Sequence, residues 1–249
     1  MDLGRTLLAV HAHPDDESIT TGGLLAWAHA QGVRTIVVTS TGGDIGPRRA
    51  PLEGQLVDIR DRELAEALRI LGVSRGVRLG YRDSGLLGWP DNDHPASFHA
   101  APLDQAAARL AEILDEERPE TVVTYAPDGG YGHPDHVKAY HVAAAACRLV
   151  QPPPALYAVV FPRRWLRAFE QLTGARGPAL LGVDDMDPPP NFGTAAECEA
   201  LDVRAYVETK RAAIAAHRSQ MGDDHVLVRM PPEVYREVWS REHYQRLDL

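Results

Sequence analysis

Only two cysteines, Cys147 and Cys198, occur in the 249 residues, and they stand too far apart for a disulfide framework or a Cys-x-x-Cys zinc site. A reducing, cytoplasmic setting fits that usage. No apolar run approaches the roughly 20 residues that a bilayer-crossing helix needs. The opening stretch MDLGRTLLAVHAHPDD carries no basic leader and runs at once into acidic residues, so it reads as a first strand and not as a signal peptide. Basic patches are missing as well: 26 lysines and arginines stand against 35 aspartates and glutamates, a formal net charge of -9. Nucleic acid and anionic membranes attract the opposite sign, so neither is expected as a partner, and a small neutral or cationic ligand is easier to accommodate. The glycine-rich TGGDIG does not match the dinucleotide fingerprint, and no internal repeat or low-complexity segment is present.

What the chain does contain is an alternation. TLLAV (Thr6 to Val10) and VRTIVVTST (Val33 to Thr41) are β-branched, almost continuously apolar runs, the pattern of strands covered on both faces. Between them ITTGGLLAWAHAQG has helical length and ends at Gly32, as a C-cap would. The alternation continues through a helix with Leu56, Ile59, Leu64, Leu68 and Leu71 on one face, a strand VRLGY, a helix opened by Pro102 and stopped before Pro119, and a strand TVVTYA. A helix opened by Pro134, with Val137, Tyr140, Ala144 and Cys147 on one face, and a strand ALYAVVF complete it. These elements predict a Rossmann-like, doubly wound α/β fold with a mostly parallel sheet and helices on both faces. One domain is expected, with a core over residues 1–161 and a loop-rich C-terminal portion over 162–249. In the latter, the Pro-rich GPALLGVDDMDPPPNFG reads as a surface loop or lid, and a helix is expected from about Tyr206 to Met221.

Ligands of such sheets bind beyond the carboxyl ends of the strands, and four polar clusters fall there: HAHPDDE, TSTGGD, YRDSG and DGGYGHPDH. Two of them share a His-Pro-Asp pattern, at His13-Pro14-Asp15-Asp16 and at His133-Pro134-Asp135-His136. Together they supply the imidazole and carboxylate groups that a zinc-type divalent metal accepts. His133 and His136 fall at a helix N-terminus, whose positive polarisation disfavours protonation and keeps imidazole available as a ligand. A plainer reading makes the acids and His133 simple helix-start residues. The other histidines, His11, His29, His94, His99, His141, His217, His225 and His243, are read as solvated or capping.

HPDDE and GGYGHPDH, supported by RDREL, YRDSG and KRAAIAAHRSQM, resemble the LmbE-like (PIG-L) family of metal-dependent N-deacetylases and amidases over nearly the whole chain. Within it the motifs are most similar to mycothiol-pathway enzymes, the deacetylases of N-acetylglucosaminyl inositol and the amidases of mycothiol conjugates. The resemblance implies that His13, Asp16 and His136 hold the metal, normally Zn2+. Fe2+ also suits two histidines and one carboxylate. It further implies that Asp15 is the general base, that His133 stabilises charge or protonates the departing amine, and that Tyr131 hydrogen-bonds the oxyanion. Arg60 and Asp83 match family positions that contact substrate.

The expected activity is hydrolysis of an N-acyl, chiefly N-acetyl, bond on an amino-sugar-containing small molecule. The alternatives are an amidase acting on a thiol conjugate or a glycosylated secondary metabolite, and a metal-binding protein without turnover. Gly43-Asp44 stands where relatives carry Gly-Glu, and Thr20-Thr21 replace the lysine that marks the conjugate amidases, which favours a deacetylase. Oligomeric state, including a homo-oligomer, is left open.

Overall fold

The computed structural model describes residues 2–47, 53–175, 197–223 and 225–249, and its first half alternates strand and helix. Strand β1 (Thr6–His11) leads to helix α1 (Asp16–Ala30), β2 (Arg34–Thr41), α2 (Leu56–Leu71), β3 (Arg75–Tyr81), α3 (Leu103–Glu117), β4 (Thr121–Tyr125), α4 (Pro134–Leu149) and β5 (Ala155–Val159). The remainder supplies α5 (Arg163–Thr173), β6 (Glu199–Asp202), α6 (Val207–Ala216), α7 (Val226–Arg229), α8 (Pro232–Trp239) and β7 (Arg241–Leu247). The strands form one sheet in the order β3-β2-β1-β4-β5-β7-β6. β1 to β5 pair in parallel, and β7 runs antiparallel to both β5 and β6. The expected α/β class is the observed one. Chain order runs outward from β1 to β2 and β3 on one side and crosses to β4 on the other, and that reversal opens a crevice beyond the ends of β1 and β4.

The sheet forms because its central strands are apolar on both faces. Leu7, Leu8, Ala9 and Val10 of β1 are wholly buried, as are Ile36, Val37 and Val38 of β2 and Val122 and Val123 of β4. Each such leucine, isoleucine or valine contributes about 1.5–3 kcal/mol. Three local expectations need correction. Helix α1 begins at Asp16, before the apolar run at Ile19, so the acidic residues lie in its first turn. Helix α4 buries Ala144 and Cys147 as expected, together with Ala139, Ala143 and Ala146 and with His136 at its head, whereas Val137 and Tyr140 are only partly covered. The buried face is mostly small alanines, which let the helix sit close to its neighbours, while Val142 is buried with them and Tyr140 packs at the margin. Helix α6 ends at Ala216, and residues 217–221 turn away from its axis.

The C-terminal portion holds more regular structure than its loop-like composition suggests, because α5, β6, α8 and β7 lie there. The lid expected in Gly177 to Gly193 falls outside the described residues. Leu166 and Phe169 of α5, Val207 and Ile214 of α6, and Tyr235, Val238 and Trp239 of α8 form a second apolar cluster that reaches Ile19 of α1. Strand β7 reads REHYQRL, too polar for a buried strand, yet Glu242 is 4% exposed. Its carboxylate accepts hydrogen bonds from Gly23 N and Leu24 N at 2.8 Å each, Lys210 Nζ at 2.6 Å and Tyr244 OH at 2.7 Å. Every lone pair of the buried charge is thereby used. A Cβ on Gly23 would come within 2.7 Å of Val203 and 2.8 Å of Glu242 Oε1, which explains a glycine in mid-helix despite its entropic cost.

Lys210 is wholly buried, with its ammonium 3.9 Å from the centre of the Trp239 ring. Burial pushes its pKa down, against the pull of Glu242. Lys210→Met keeps the bulk but leaves Glu242 without a counter-charge. Denaturant unfolding should show a loss of roughly 3 kcal/mol, the low end for breaking a buried pair. A loss below about 0.5 kcal/mol, the range of ordinary surface substitutions, would show that the pair is not a structural link.

Candidate metal and catalytic site

His13 and Asp16 stand at the exit of β1 and the start of α1, and His133 and His136 at the start of α4, across the crevice. His133 is the N-cap of α4: its Nδ1 accepts the Asp135 N–H at 3.1 Å. That bond leaves Nε2 as the protonated nitrogen of the neutral ring. Burial, then the neighbouring His13 and His136, pushes the His133 pKa well below the ordinary value. His136, one turn further on, meets the Gly129 carbonyl through Nδ1 at 3.2 Å and stacks on Tyr125 with ring centres 4.1 Å apart.

The Asp16 carboxylate joins the two halves. Its Oδ2 lies 3.4 Å from His13 Nδ1 and 3.5 Å from His136 Nε2, and accepts the His13 N–H at 2.8 Å. Burial alone would raise the pKa of Asp16, but His136 and His13 outweigh it and hold it well below the usual range. On the far side of His13, Nε2 lies 3.3 Å from Asp135 Oδ2 and 3.6 Å from Asp83 Oδ1. Three carboxylates therefore crowd one imidazole. Against the effect of burial they lift the His13 pKa well above its ordinary value. Such a surplus of negative charge suits a divalent cation.

The donor set fits a metal on a second observation. His136 Nε2 is buried with no hydrogen-bond partner, while its Nδ1 is held by a backbone carbonyl. A tautomer fixed at one nitrogen with the other left bare is what a ligating histidine requires. Among the described residues, two other combinations bring all their donor atoms within 4.8 Å of one another, His13 with His133 and His136, and His13 with Asp83 and Asp135, whereas the set with Asp16 rests on its 3.4 and 3.5 Å approaches to the two histidines. Members of those two combinations are more heavily committed: His133 Nδ1 caps α4, and Asp135 accepts Ser84 N at 2.9 Å and the Ser84 hydroxyl.

Asp15 precedes α1 in a backbone conformation, φ 123°, that non-glycine residues seldom adopt. Its N–H donates to Glu17 Oε2 at 3.0 Å, and its carbonyl accepts Ser18 N and Ile19 N at 3.0 Å each. Arg60 Nη2 donates to Asp15 Oδ2 at 3.1 Å and to the Pro14 carbonyl at 2.6 Å, and Nη1 donates to the Gly43 carbonyl at 3.1 Å. A Cβ on Gly43, itself at φ 61°, would overlap the guanidinium, so this turn needs glycine. Burial pushes the Asp15 carboxyl up to about 6, against the pull of Arg60. Tyr131, on a loop between Gly130 and Gly132 of positive φ, has its ring centre 5.9 Å from that of His133 and 5.0 Å from that of His136.

Every residue singled out in the sequence lies at this crevice. Arg60 is 3% exposed and faces Asp15 and backbone carbonyls instead of an open cavity. Asp83 accepts the Gly85 N–H at 2.8 Å, and its own N–H is held by Asp44 at 3.0 Å. Asp135 and Glu17 belong to the same motifs but were not given a role. The solvated or capping reading fails for His11 and His217, both wholly buried, because their partners are remote in sequence or lie on the inner face of α1. His11 Nε2 meets Thr21 Oγ1 at 3.0 Å, and His217 Nε2 meets Glu17 Oε1 at 2.8 Å. Burial opposes charge on His217, but Glu17 lifts its pKa above the ordinary value. His225 does cap, accepting Leu227 N at 3.3 Å.

The PIG-L family profile, described as GlcNAc-PI de-N-acetylase, matches residues 8–147. A 1D-myo-inositol 2-acetamido-2-deoxy-alpha-D-glucopyranoside deacetylase of Acidothermus cellulolyticus is 40% identical, over 96% of this chain and 88% of that protein. The corresponding deacetylase of Streptomyces griseus is 38% identical, over 97% of this chain and 83% of its own length. Among solved structures, the conserved protein TT1542 from Thermus thermophilus superposes with a TM-score of 0.60 at 26% identity, covering 97% of this chain and 93% of that one. With the profile spanning the crevice from β1 to α4, and relatives aligned over almost its full length, the chain belongs to the PIG-L (GlcNAc-PI de-N-acetylase) family.

Proposed function

We propose that the chain is a metal-dependent hydrolase that removes the N-acetyl group from an amino-sugar conjugate, with 1D-myo-inositol 2-acetamido-2-deoxy-α-D-glucopyranoside as the first substrate to test. The observation that carries this reading is the bare, buried Nε2 of His136 beside Asp16, with the carboxylate of Asp15 next in sequence and paired to an arginine instead. The curated relatives are named for this deacetylation. His13, Asp16 and His136 would hold the ion, Zn2+ or Fe2+. When bound, such an ion lowers the pKa of water from about 15.7 towards about 7 and polarises the acyl oxygen.

The chain supplies the rest. Asp15 takes the proton of the attacking water, and a carboxyl lifted towards neutrality by burial is a better proton carrier than an exposed one. His133, neutral and oriented by its cap bond, offers Nε2–H to the charge that develops as the C–N bond breaks. Tyr131, whose hydroxyl is kept protonated by burial, donates to the oxyanion. Arg60 is better read as the partner of Asp15 than as a contact for the sugar. Asp83, whose Oδ1 lies 3.6 Å from His13 Nε2, is kept as the residue that a sugar hydroxyl would meet.

Acetate released from this substrate tests the reading. Release should stop after chelation and return on adding Zn2+ or Fe2+ under anaerobic conditions. Turnover of a thiol conjugate with none of the acetylated sugar would replace the deacetylase with the amidase, and activity indifferent to chelation would remove the metal from the reading.

A further inference from the structure

We infer that His217, contributed by the turn after α6, is a positioning residue for Asp15, acting through Glu17. The inference rests on the assignment of Asp15 as the base. Glu17 and His217 are both wholly buried. One carboxylate oxygen of Glu17 accepts the Asp15 N–H at 3.0 Å, while the other meets His217 Nε2 at 2.8 Å and accepts the Ser18 hydroxyl at 2.5 Å. The bonds are divided between two oxygens, so Glu17 is a bridge from the C-terminal turn to the backbone of Asp15.

What is held there is a strained residue. At φ 123° Asp15 relaxes unless its surroundings over-determine it, and such strain costs about 1–3 kcal/mol. Arg60 holds the side chain and, through the Pro14 carbonyl, one end of the peptide that carries the Asp15 N–H, and Glu17 holds the other end by accepting that N–H. The turn itself is anchored by neighbours that do not touch Asp15. Ser219 donates to Glu63 through N at 2.8 Å and through Oγ at 2.6 Å, and Gln220 Nε2 donates to the Pro47 carbonyl at 2.9 Å. The turn lies outside the 8–147 stretch matched by the family profile, so the core that carries the reactive groups borrows this support from about 200 residues downstream. Without the imidazole, Glu17 Oε1 keeps only the Ser18 hydroxyl of its two partners, and a buried carboxylate that is one donor short is free to rotate away from the Asp15 N–H.

The test uses the full-length, zinc-reconstituted protein with acetate release from the inositol glycoside as readout. His217→Asn places its amide nitrogen near Nδ1 and withdraws the donor from Glu17. We expect kcat to fall about 10- to 100-fold, the cost of misplacing a reacting group by about 1 Å, with KM and zinc content unchanged. His217→Gln places its amide nitrogen near Nε2 and should restore kcat to within about threefold of the unmutated protein, less than the worth of one hydrogen bond. Ser219→Ala loosens the same turn without touching Glu17. It should lower the melting temperature while leaving kcat within about threefold, a shift again smaller than one hydrogen bond is worth.

Equal loss of kcat in His217→Asn and Ser219→Ala would overturn the inference in favour of simple turn stability. So would loss of zinc or a raised KM in place of lowered kcat, or failure of glutamine to rescue. If His217→Asn does not fold, Glu17→Gln, which keeps one oxygen for the Asp15 N–H but sets an amide against His217, is judged by the same split. Full activity of Asp15→Asn would defeat the base assignment itself, whereas an inactive Asp15→Asn beside a fully active His217→Asn would defeat the bridge alone.

Discussion

Asp15→Asn is expected to lower kcat by about 10²–10⁴-fold, the usual worth of a positioned general base, with bound metal per chain unchanged. The substitution keeps the hydrogen bonds of Asp15 while removing its capacity to take a proton. Asparagine is among the residues that best tolerate positive φ, so the unusual backbone at this position survives. Its carbonyl oxygen still accepts the Arg60 bond that Oδ2 now receives at 3.1 Å. Its N–H still reaches Glu17. What is gone is the basicity, together with the negative charge that faces Arg60. Measured by acetate release and metal analysis of the same preparation, full activity with full metal content would show that another group moves the proton. Lost metal would instead place Asp15 among the ligands.

The meeting of the two His-Pro-Asp motifs was legible in the sequence because each sits directly after a buried apolar strand, and position in a doubly wound sheet decides where such residues go; the separate roles proposed for Asp15 and Asp16 are what the family resemblance implies. TLLAV and TVVTYA read as buried strands of one sheet, which puts HPDDE and GYGHPDH at strand ends, and the parallel pairing of β1 with β4 brings them together at the crevice. The role of Arg60 was not legible. A helix arginine beside the acids of RDREL looks solvated or substrate-facing in one dimension, and its burial follows from glycine at 43, where the absence of a Cβ makes room for the guanidinium. Strand β7 was hidden for a similar reason. REHYQRL lacks an apolar pattern because its buried glutamate is neutralised by Lys210 and by the amides of α1, all remote in sequence. The same holds for His217, whose partner lies 200 positions away. Local periodicity reports which residues leave water. It does not report which charges find each other once they have.

His136→Ala carries the other large expectation. Removing one of three protein ligands should weaken metal binding by more than about 100-fold, beyond the 10- to 100-fold typical of the residues that merely orient ligands. Acetate release should fall with metal content and should not return at ordinary zinc concentrations. The fold should survive. Alanine is a good helix former in the first turn of α4, and Pro134 and the His133 cap still start the helix. The alternative donor group gives the experiment its second arm. If His136→Ala still binds zinc with unchanged affinity after dialysis, the ion is held on the other side of His13, where Nε2 meets Asp135 and Asp83. Asp83→Asn would then release it, whereas with the ligand set of His13, Asp16 and His136 the same substitution leaves metal content intact. The two variants read against each other decide which nitrogen of His13 faces the metal.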